Sequence, residues 1–210
     1  MGGIPFIVSA PSGAGKTTLC KKAVDFFPDL RHSISYTTRK PRNGEVNGAD
    51  YWFIEDRVFD DMIARDEFLE YAGVYGKRYG TSKKDLDNLL SEGLSVILEI
   101  DVQGADQIRA RLPGAVGVFI LPPSIEACRV RLKQRGKDSP EEIEKRLKIA
   151  VEEVRKAALY DYIIINDDLE AAFEHFKSVI AAEKARTPRM LEKVAGLFGA
   201  VTGIKATSKN

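Results

Sequence analysis

Residues 4–27, IPFIVSAPSGAGKTTLCKKAVDFF, constrain this chain most. Residues 4–8 form a short apolar run that reads as a buried parallel strand. A glycine-rich turn follows. Residues 18–27 then place Leu19, Ala23, Phe26 and Phe27 on roughly one helical face, and Pro28 closes the helix. A strand entering a helix through such a turn aims backbone N–H groups and the positive helix end into one concavity, a ready anion site. Gly13 and Gly15 give the backbone the freedom this requires. Lys16 adds a point charge suited to the β- and γ-phosphates of a nucleotide, and Thr17 adds a hydroxyl suited to Mg²⁺. Ala10 stands where the pattern G-x-x-x-x-G-K-S/T has its first glycine. An alanine is tolerable there if the position needs no positive φ. A glycine-rich turn without a ligand stays open as the alternative at this point.

The rest of the chain fits around that unit. Residues 94–100, 116–121 and 162–165 repeat the short apolar run. Between them, 103–112, 124–135 and 141–160 carry helical patterns, the last with Ile143, Leu147, Ala150, Val151 and Val154 on one stripe. Strands alternating with helices imply parallel βαβ units with helices on both faces of a sheet. Residues 33–80 break the rhythm with short strand-like pieces rich in Tyr, Arg and Gly, plus one helical stretch near 59–63. They read as an inserted lobe, a common carrier of substrate specificity. The tail, 187–210, has weak helical spacing at Leu191, Val194, Leu197, Phe198 and Val201.

With 210 residues there is room for one sizeable domain. A net charge of +1, with both signs interleaved, excludes the one-sign field of a general nucleic-acid or membrane-surface binder. Cys20 and Cys128 are the only cysteines, too few and too far apart for a disulfide framework or zinc pattern. The N-terminus lacks a signal-peptide pattern, and no run approaches the length of a membrane span. A soluble, cytoplasmic, single-domain protein is expected.

The segment SISYTTRKPRNGEVNGADYWF (33–53) is the second informative stretch. It sets Arg39 and Arg42 three apart, with hydroxyls on Ser35, Thr37, Thr38 and Tyr51. Two planar guanidinium forks beside phenols suit a second phosphate. Gly44 and Gly48 suit turns of a loop folding over a ligand. On these residues alone, a solvated basic loop remains the alternative.

Thr37 to Phe53, T-T-R-x-P-R-x-G-E-x-x-G-x-D-Y-x-F, resembles the signature of the guanylate kinase family. The loop around P-S-G-A-G-K resembles that of the family's bacterial members, in which Ala at the position of Ala10 is common. Similarity continues through EFLEYAGVYGKRYGTS (67–82), ILEIDVQG (97–104), 122–136 and IIINDD (163–168), so it spans roughly 4–186. The resemblance implies the P-loop nucleoside monophosphate kinase fold: a parallel five-stranded core sheet with helices on both faces. It divides the chain into a core (1–32, 82–122 and 160–186), a GMP-binding lobe (33–81), a lid with flanking helices (123–159) and a tail (187–210).

The same resemblance implies roles. Ser12, Gly13, Ala14, Gly15, Lys16, Thr17 and Thr18 would cradle ATP, with Asn166 on the adenine side. Glu70 would accept from guanine N1–H and the N2 amino group, with Ser35 and Thr81 as hydroxyl partners. Adenine presents the opposite pattern, so Glu70 would reject it. Without the resemblance, Glu70 reads as a surface residue. Arg39, Arg42, Tyr51 and Tyr79 would hold the GMP phosphate. Asp101 would lie near base and metal, with direct guanine contact and water-mediated Mg²⁺ contact both open; Glu99 is a weaker candidate. Arg131, Arg135 and Arg146 match lid arginines that close on the ATP phosphates, whereas Arg129 reads as structural. His32 and His175 also read as structural.

The implied activity is transfer of the γ-phosphoryl group of MgATP to GMP, and to dGMP, by in-line displacement without a general base. Lys16, Arg39, Arg131, Arg135 and Arg146 would carry the catalysis. Two rivals remain: an interaction module of the same fold that has lost catalysis, and a kinase of another nucleoside monophosphate or small phosphoester. An intact phosphate loop speaks against the first, and Glu70 discriminates the second. Oligomeric state is open.

Overall fold

The computed structural model describes residues 2–74, 76–136 and 138–203. Its core is a five-stranded sheet built on strand β1, Pro5–Ser9, the central strand of the order β2-β7-β1-β8-β9. The others are β2 (Leu30–His32), β7 (Ser95–Glu99), β8 (Val116–Leu121) and β9 (Tyr162–Ile165). Every pair in this sheet is parallel. Alternation along β1 builds two cores. Phe6 and Val8 face a cluster with Leu19, Ala23, Phe176 and Ile180, while Ile7 faces one with Leu86, Ala105, Ile108 and Tyr160. Each large apolar side chain so buried contributes about 1.5–3 kcal/mol, so β1 is anchored on both faces directly beneath the loop it feeds.

Helices α1 (Lys16–Phe26) and α7 (Leu169–Lys184) supply the first face. Helices α3 (Lys83–Ser91) and α4 (Val102–Arg111) supply the second. Strand β2 and helices α3 and α7 are absent from the sequence-based expectation, which otherwise places the core strands to within a residue or two. The helix expected at 141–160 divides into α6, Pro140–Arg155, and a short 3-10 turn, Lys156–Leu159. Helix α6 starts at a capping box, with Ser139 and Glu142 each bonding the other's backbone N–H and Pro140 in its first turn. It packs on α5, Ile125–Arg135, through Cys128, Leu132, Ile143 and Leu147.

The inserted lobe has its own four-stranded sheet, in the order β4-β3-β6-β5. Its strands are β3 (Tyr36–Thr37), β4 (Trp52–Phe53), β5 (Phe68–Val74) and β6 (Lys77–Ser82). Helix α2, Asp56–Ala64, buries Phe59 and Met62 against Phe68. Strands β5 and β6 are antiparallel, with an irregularity between Phe68 and Glu70.

The tail forms helix α8, Thr187–Thr202. Arg189 Nη2 donates to Glu183 Oε2 at 3.2 Å, and the Tyr162 hydroxyl donates to Glu183 Oε1 at 2.7 Å. One buried carboxylate thus ties α8 to α7 and β9. The expectation for 204–210 lies outside the described residues. Among the described residues, no helix is long and apolar enough to cross a membrane.

Candidate active site

The loop between β1 and α1 has Gly13 at φ +88° and Gly15 at φ +91°. Both lie in the left-handed region that side chains disfavour. Space adds a second reason. A Cβ on Gly13 would stand 3.1 Å from the Cys128 carbonyl oxygen of α5, and one on Gly15 would overlap the Asn166 amide nitrogen. Ala10 is different: among the described residues, the one non-glycine with positive φ is Asp66. The departure from the glycine pattern at Ala10 therefore costs no backbone strain.

Beneath the loop, Asn166 is buried at the end of β9 and donates through Nδ2 to the Ala14 carbonyl at 2.7 Å. Arg131 Nη2 donates to the Asn166 carbonyl at 2.9 Å, and its Nη1 reaches the Ala14 carbonyl at 3.5 Å. Both side chains, expected respectively beside adenine and on the ATP phosphates, here brace the loop from behind.

Above the loop opens a cavity of about 400 Å³, lined by residues 10–17 together with Asp101, Gln103, Arg135 and Glu153. Lys16 Nζ donates to the Ile100 carbonyl at 3.0 Å, which holds the ammonium at the cavity wall. The exposed Thr17 hydroxyl donates to the Glu99 carboxylate. Thr18 is exposed on the first turn of α1 and does not line this cavity. Glu153, on α6, was not singled out by the sequence, where it is one of many charges on a helix. Burial pushes its carboxyl up to about 7, Lys16 opposes the shift, and Asp101 adds to it. Only folding brings it to the loop.

A second cavity of about 160 Å³ is lined by Ser35, Tyr51, Glu70, Ala72, Tyr79, Glu99, Ile100 and Asp101. Glu70, 4 % exposed, corrects the surface reading that its type alone invites. The Thr81 hydroxyl donates to Glu70 Oε1 at 2.7 Å. Burial pushes Glu70 up to about 7; the Thr81 bonds pull the other way and the Asp101 charge adds to the rise. Asp101 caps α4, its Oδ1 accepting from Gln103 N at 3.0 Å and Gly104 N at 2.8 Å. Asp101 lines both cavities.

Next to the second cavity, the Arg39 guanidinium lies 5.3 Å from the Tyr51 ring centroid, and the Tyr51 and Tyr79 rings stand edge to face at 5.9 Å. Arg39 also bonds Glu45 through two nitrogens, each at 2.8 Å, and Glu45 Oε2 accepts from Arg42 N at 2.7 Å. This bonding holds Glu45 below the ordinary carboxylate range. Glu45 stands inside the quoted signature without a role assigned from sequence; the fold pairs it with the Arg39 guanidinium and the Arg42 backbone. Arg39, Arg42, Tyr79 and Arg146 line a further opening of about 360 Å³, and Arg42, Arg135, Asp138 and Arg146 one of about 570 Å³. Arg39 and Arg42 of the inserted lobe thus line the same openings as Arg135 of α5 and Arg146 of α6. Arg129, paired with Glu126 and Glu144, lies within the α5–α6 pair, in keeping with a structural role.

Comparison with known proteins places the whole chain beside this site. The guanylate kinase family model matches residues 3–183. The guanylate kinase of Geobacter sulfurreducens is 52% identical over 196 residues, covering 93% of this chain and 97% of its own. That of Nitrosospira multiformis is 48% identical over 200 residues, 95% of each chain. Among solved structures, guanylate kinase from Anaplasma phagocytophilum superposes with a TM-score of 0.76 at 30% identity, covering 97% of both chains. The chain belongs to the guanylate kinase family.

Proposed function

We propose that this enzyme, which phosphorylates GMP at the expense of ATP, binds ATP on the loop of residues 12–18 and GMP in the pocket under Glu70. The observation that carries this reading is Asp101, which lines both cavities and so sets them side by side, as transfer between two nucleotides requires. Glu70 accepts from guanine N1–H and N2, and Thr81 fixes the carboxylate from behind. Ser35 completes the base pocket, and Arg39, Arg42, Tyr51 and Tyr79 take the phosphate. dGMP fits the same assignment, since none of these roles uses the 2′-hydroxyl.

The acceptor phosphate is already an anion at neutral pH, so transfer needs no general base. Catalysis is alignment plus charge stabilisation by Lys16, Arg39, Arg131, Arg135 and Arg146, with Arg131 also supporting the loop. Thr17, Glu99 and Asp101 form an all-oxygen donor set suited to Mg²⁺, directly or through water. When bound, that ion would neutralise charge on the β- and γ-phosphates. Residues 123–159 act as the lid that excludes water from the aligned phosphates. ATP and GMP are cytoplasmic metabolites, and the cytoplasm is the proposed compartment.

The test is ADP formation from MgATP with GMP, dGMP, AMP, UMP, CMP and dTMP offered separately, beside a control without acceptor. Fast turnover with GMP, slower with dGMP and background otherwise supports the reading. Transfer to another nucleotide would overturn the Glu70 assignment. A folded protein that binds GMP without turnover would overturn the catalytic one.

A further inference from the structure

Helix α4 carries a glycine at its third position, Gly104, where an alanine would favour the helix. Its backbone does not require glycine, since Gly104 is not among the residues with positive φ. It is also buried, so it is not a solvent-facing break in the helix. The explanation lies in what a side chain would meet. A Cβ there would stand 2.6 Å from Glu70 Oε2, 3.2 Å from Glu70 Cδ and 3.5 Å from Asp101 Oδ1. Its three nearest atoms would all belong to carboxylate groups that line the 160 Å³ pocket.

Glu70 cannot simply swing clear. Its Oε1 is held by the Thr81 hydroxyl at 2.7 Å, and the residue is 4 % exposed. The Gly104 N–H meanwhile donates to Asp101 Oδ1 at 2.8 Å. One residue therefore orients both acids of the pocket, Asp101 through its amide and Glu70 through the volume it leaves empty.

We propose that Gly104 is a positioning residue for base selection: its missing side chain is the space that lets Glu70 present its carboxylate to the base while keeping its bond to Thr81. The proposal rests on the reading of Glu70 as the guanine-binding carboxylate. A methyl group at 104 pushes Oε2 towards the base or breaks the Thr81 bond, and either displacement spoils the paired acceptance from N1–H and N2.

The test uses the full chain with Gly104→Ala, Glu70→Ala and the double variant, measuring KM and kcat for GMP and for ATP, together with thermal unfolding. Gly104→Ala is expected to raise KM for GMP by about tenfold or more. KM for ATP should stay unchanged, and the unfolding temperature should not fall below that of the Glu70→Ala chain. In the double variant the two effects should not add, because the methyl group then meets no Glu70 carboxylate and keeps only an ordinary van der Waals contact with Asp101. Glu70→Asp, which withdraws the carboxylate by one methylene, should harm GMP binding less in the Gly104→Ala chain than in the wild type. If Gly104→Ala fails to fold, the double variant should fold as well as Glu70→Ala alone; failure of both overturns the proposal. A wild-type KM for GMP in Gly104→Ala, with Glu70→Ala impaired, also overturns it and leaves the Glu70 reading standing. Unchanged GMP kinetics in Glu70→Ala would remove that reading and this proposal with it.

Discussion

The side chain of Asn166 bonds the carbonyl of Ala14 at 2.7 Å, joining the end of the edge strand β9 to the centre of the phosphate loop across 152 residues of sequence. Because the Asn166 amide also occupies the space a Cβ on Gly15 would need, it acts as both tie and template for the loop.

Asn166→Ala is therefore expected to weaken ATP use and spare GMP binding. Loss of a buried hydrogen bond that leaves a carbonyl underserved costs about 1–3 kcal/mol. That corresponds to roughly a five- to 150-fold loss in kcat/KM for ATP. Steady-state kinetics with each substrate varied in turn checks it. Equal losses for both substrates, or none for ATP, would count against a role confined to the loop.

Glu70 gives a pH dependence whose sign follows from its environment. Burial raises its pKa from the usual 4.5 to about 7, and the proposed pairing with guanine N1–H and N2 needs the ionised form. GMP affinity should fall about tenfold per pH unit below 7 and level off above it. Stability of the GMP-free protein runs the other way. A raised folded-state pKa gives a contribution fully present below 4.5 and lost as pH rises through 7. The GMP phosphate and Glu153 titrate nearby, so the comparison is with Glu70→Gln, which retains both. Identical pH profiles for the two chains would refute the prediction.

How much of this was legible before folding differs by element. The loop, β1 and α1 follow from local sequence, because a strand, a glycine turn and an amphipathic face are all short-range signals. Strand β2 is three residues, Leu-Arg-His, with one buried side chain, and carries no period to detect. Helix α3 buries Leu86 alone among its nine residues, so its charged pattern hides it. Helix α7 is another matter: Ala172, Phe173, Phe176 and Ile180 do carry the helical period, and the signal was present. In the site, the type of Glu70 misleads, since its burial comes from α4 packing over β5. Glu153 and Glu45 look like solvated charges until the fold sets them beside Lys16 and Arg39.

Lys16 and Thr17 separate charge stabilisation from folding. Lys16 lies at the cavity wall on the Ile100 carbonyl, outside both hydrophobic cores. Lys16→Ala should lower kcat by about 10²–10³-fold, the scale of removing one preorganised donor, while shifting the unfolding temperature little. Thr17→Val should instead raise the Mg²⁺ concentration needed for half-maximal rate, since the hydroxyl beside Glu99 is the proposed ligand. An unchanged Mg²⁺ dependence in Thr17→Val would remove Thr17 from the metal site.

Away from the chemistry, Glu183 governs how the C-terminal helix is held. Its side chain is 2 % exposed, and it accepts from Tyr162 at 2.7 Å, Arg189 at 3.2 Å and Arg186 at 3.5 Å. Burial alone would raise its pKa, but the bonds to Tyr162 and Arg189 and the charge of Arg186 outweigh it, and the net direction is down. A depressed folded-state pKa gives stability that is present above the unfolded value and lost as pH falls through the folded one. Glu183→Gln should therefore destabilise the protein at neutral pH by about 1.5–3 kcal/mol, the range of hydrogen bonds to a charged group. The difference from wild type should shrink in acid. Because Arg189 shares the contact, Glu183→Gln and Arg189→Ala should be non-additive in thermal unfolding. Additive effects, or a pH-independent difference, would mean that α8 is held by its apolar contacts and the carboxylate is incidental.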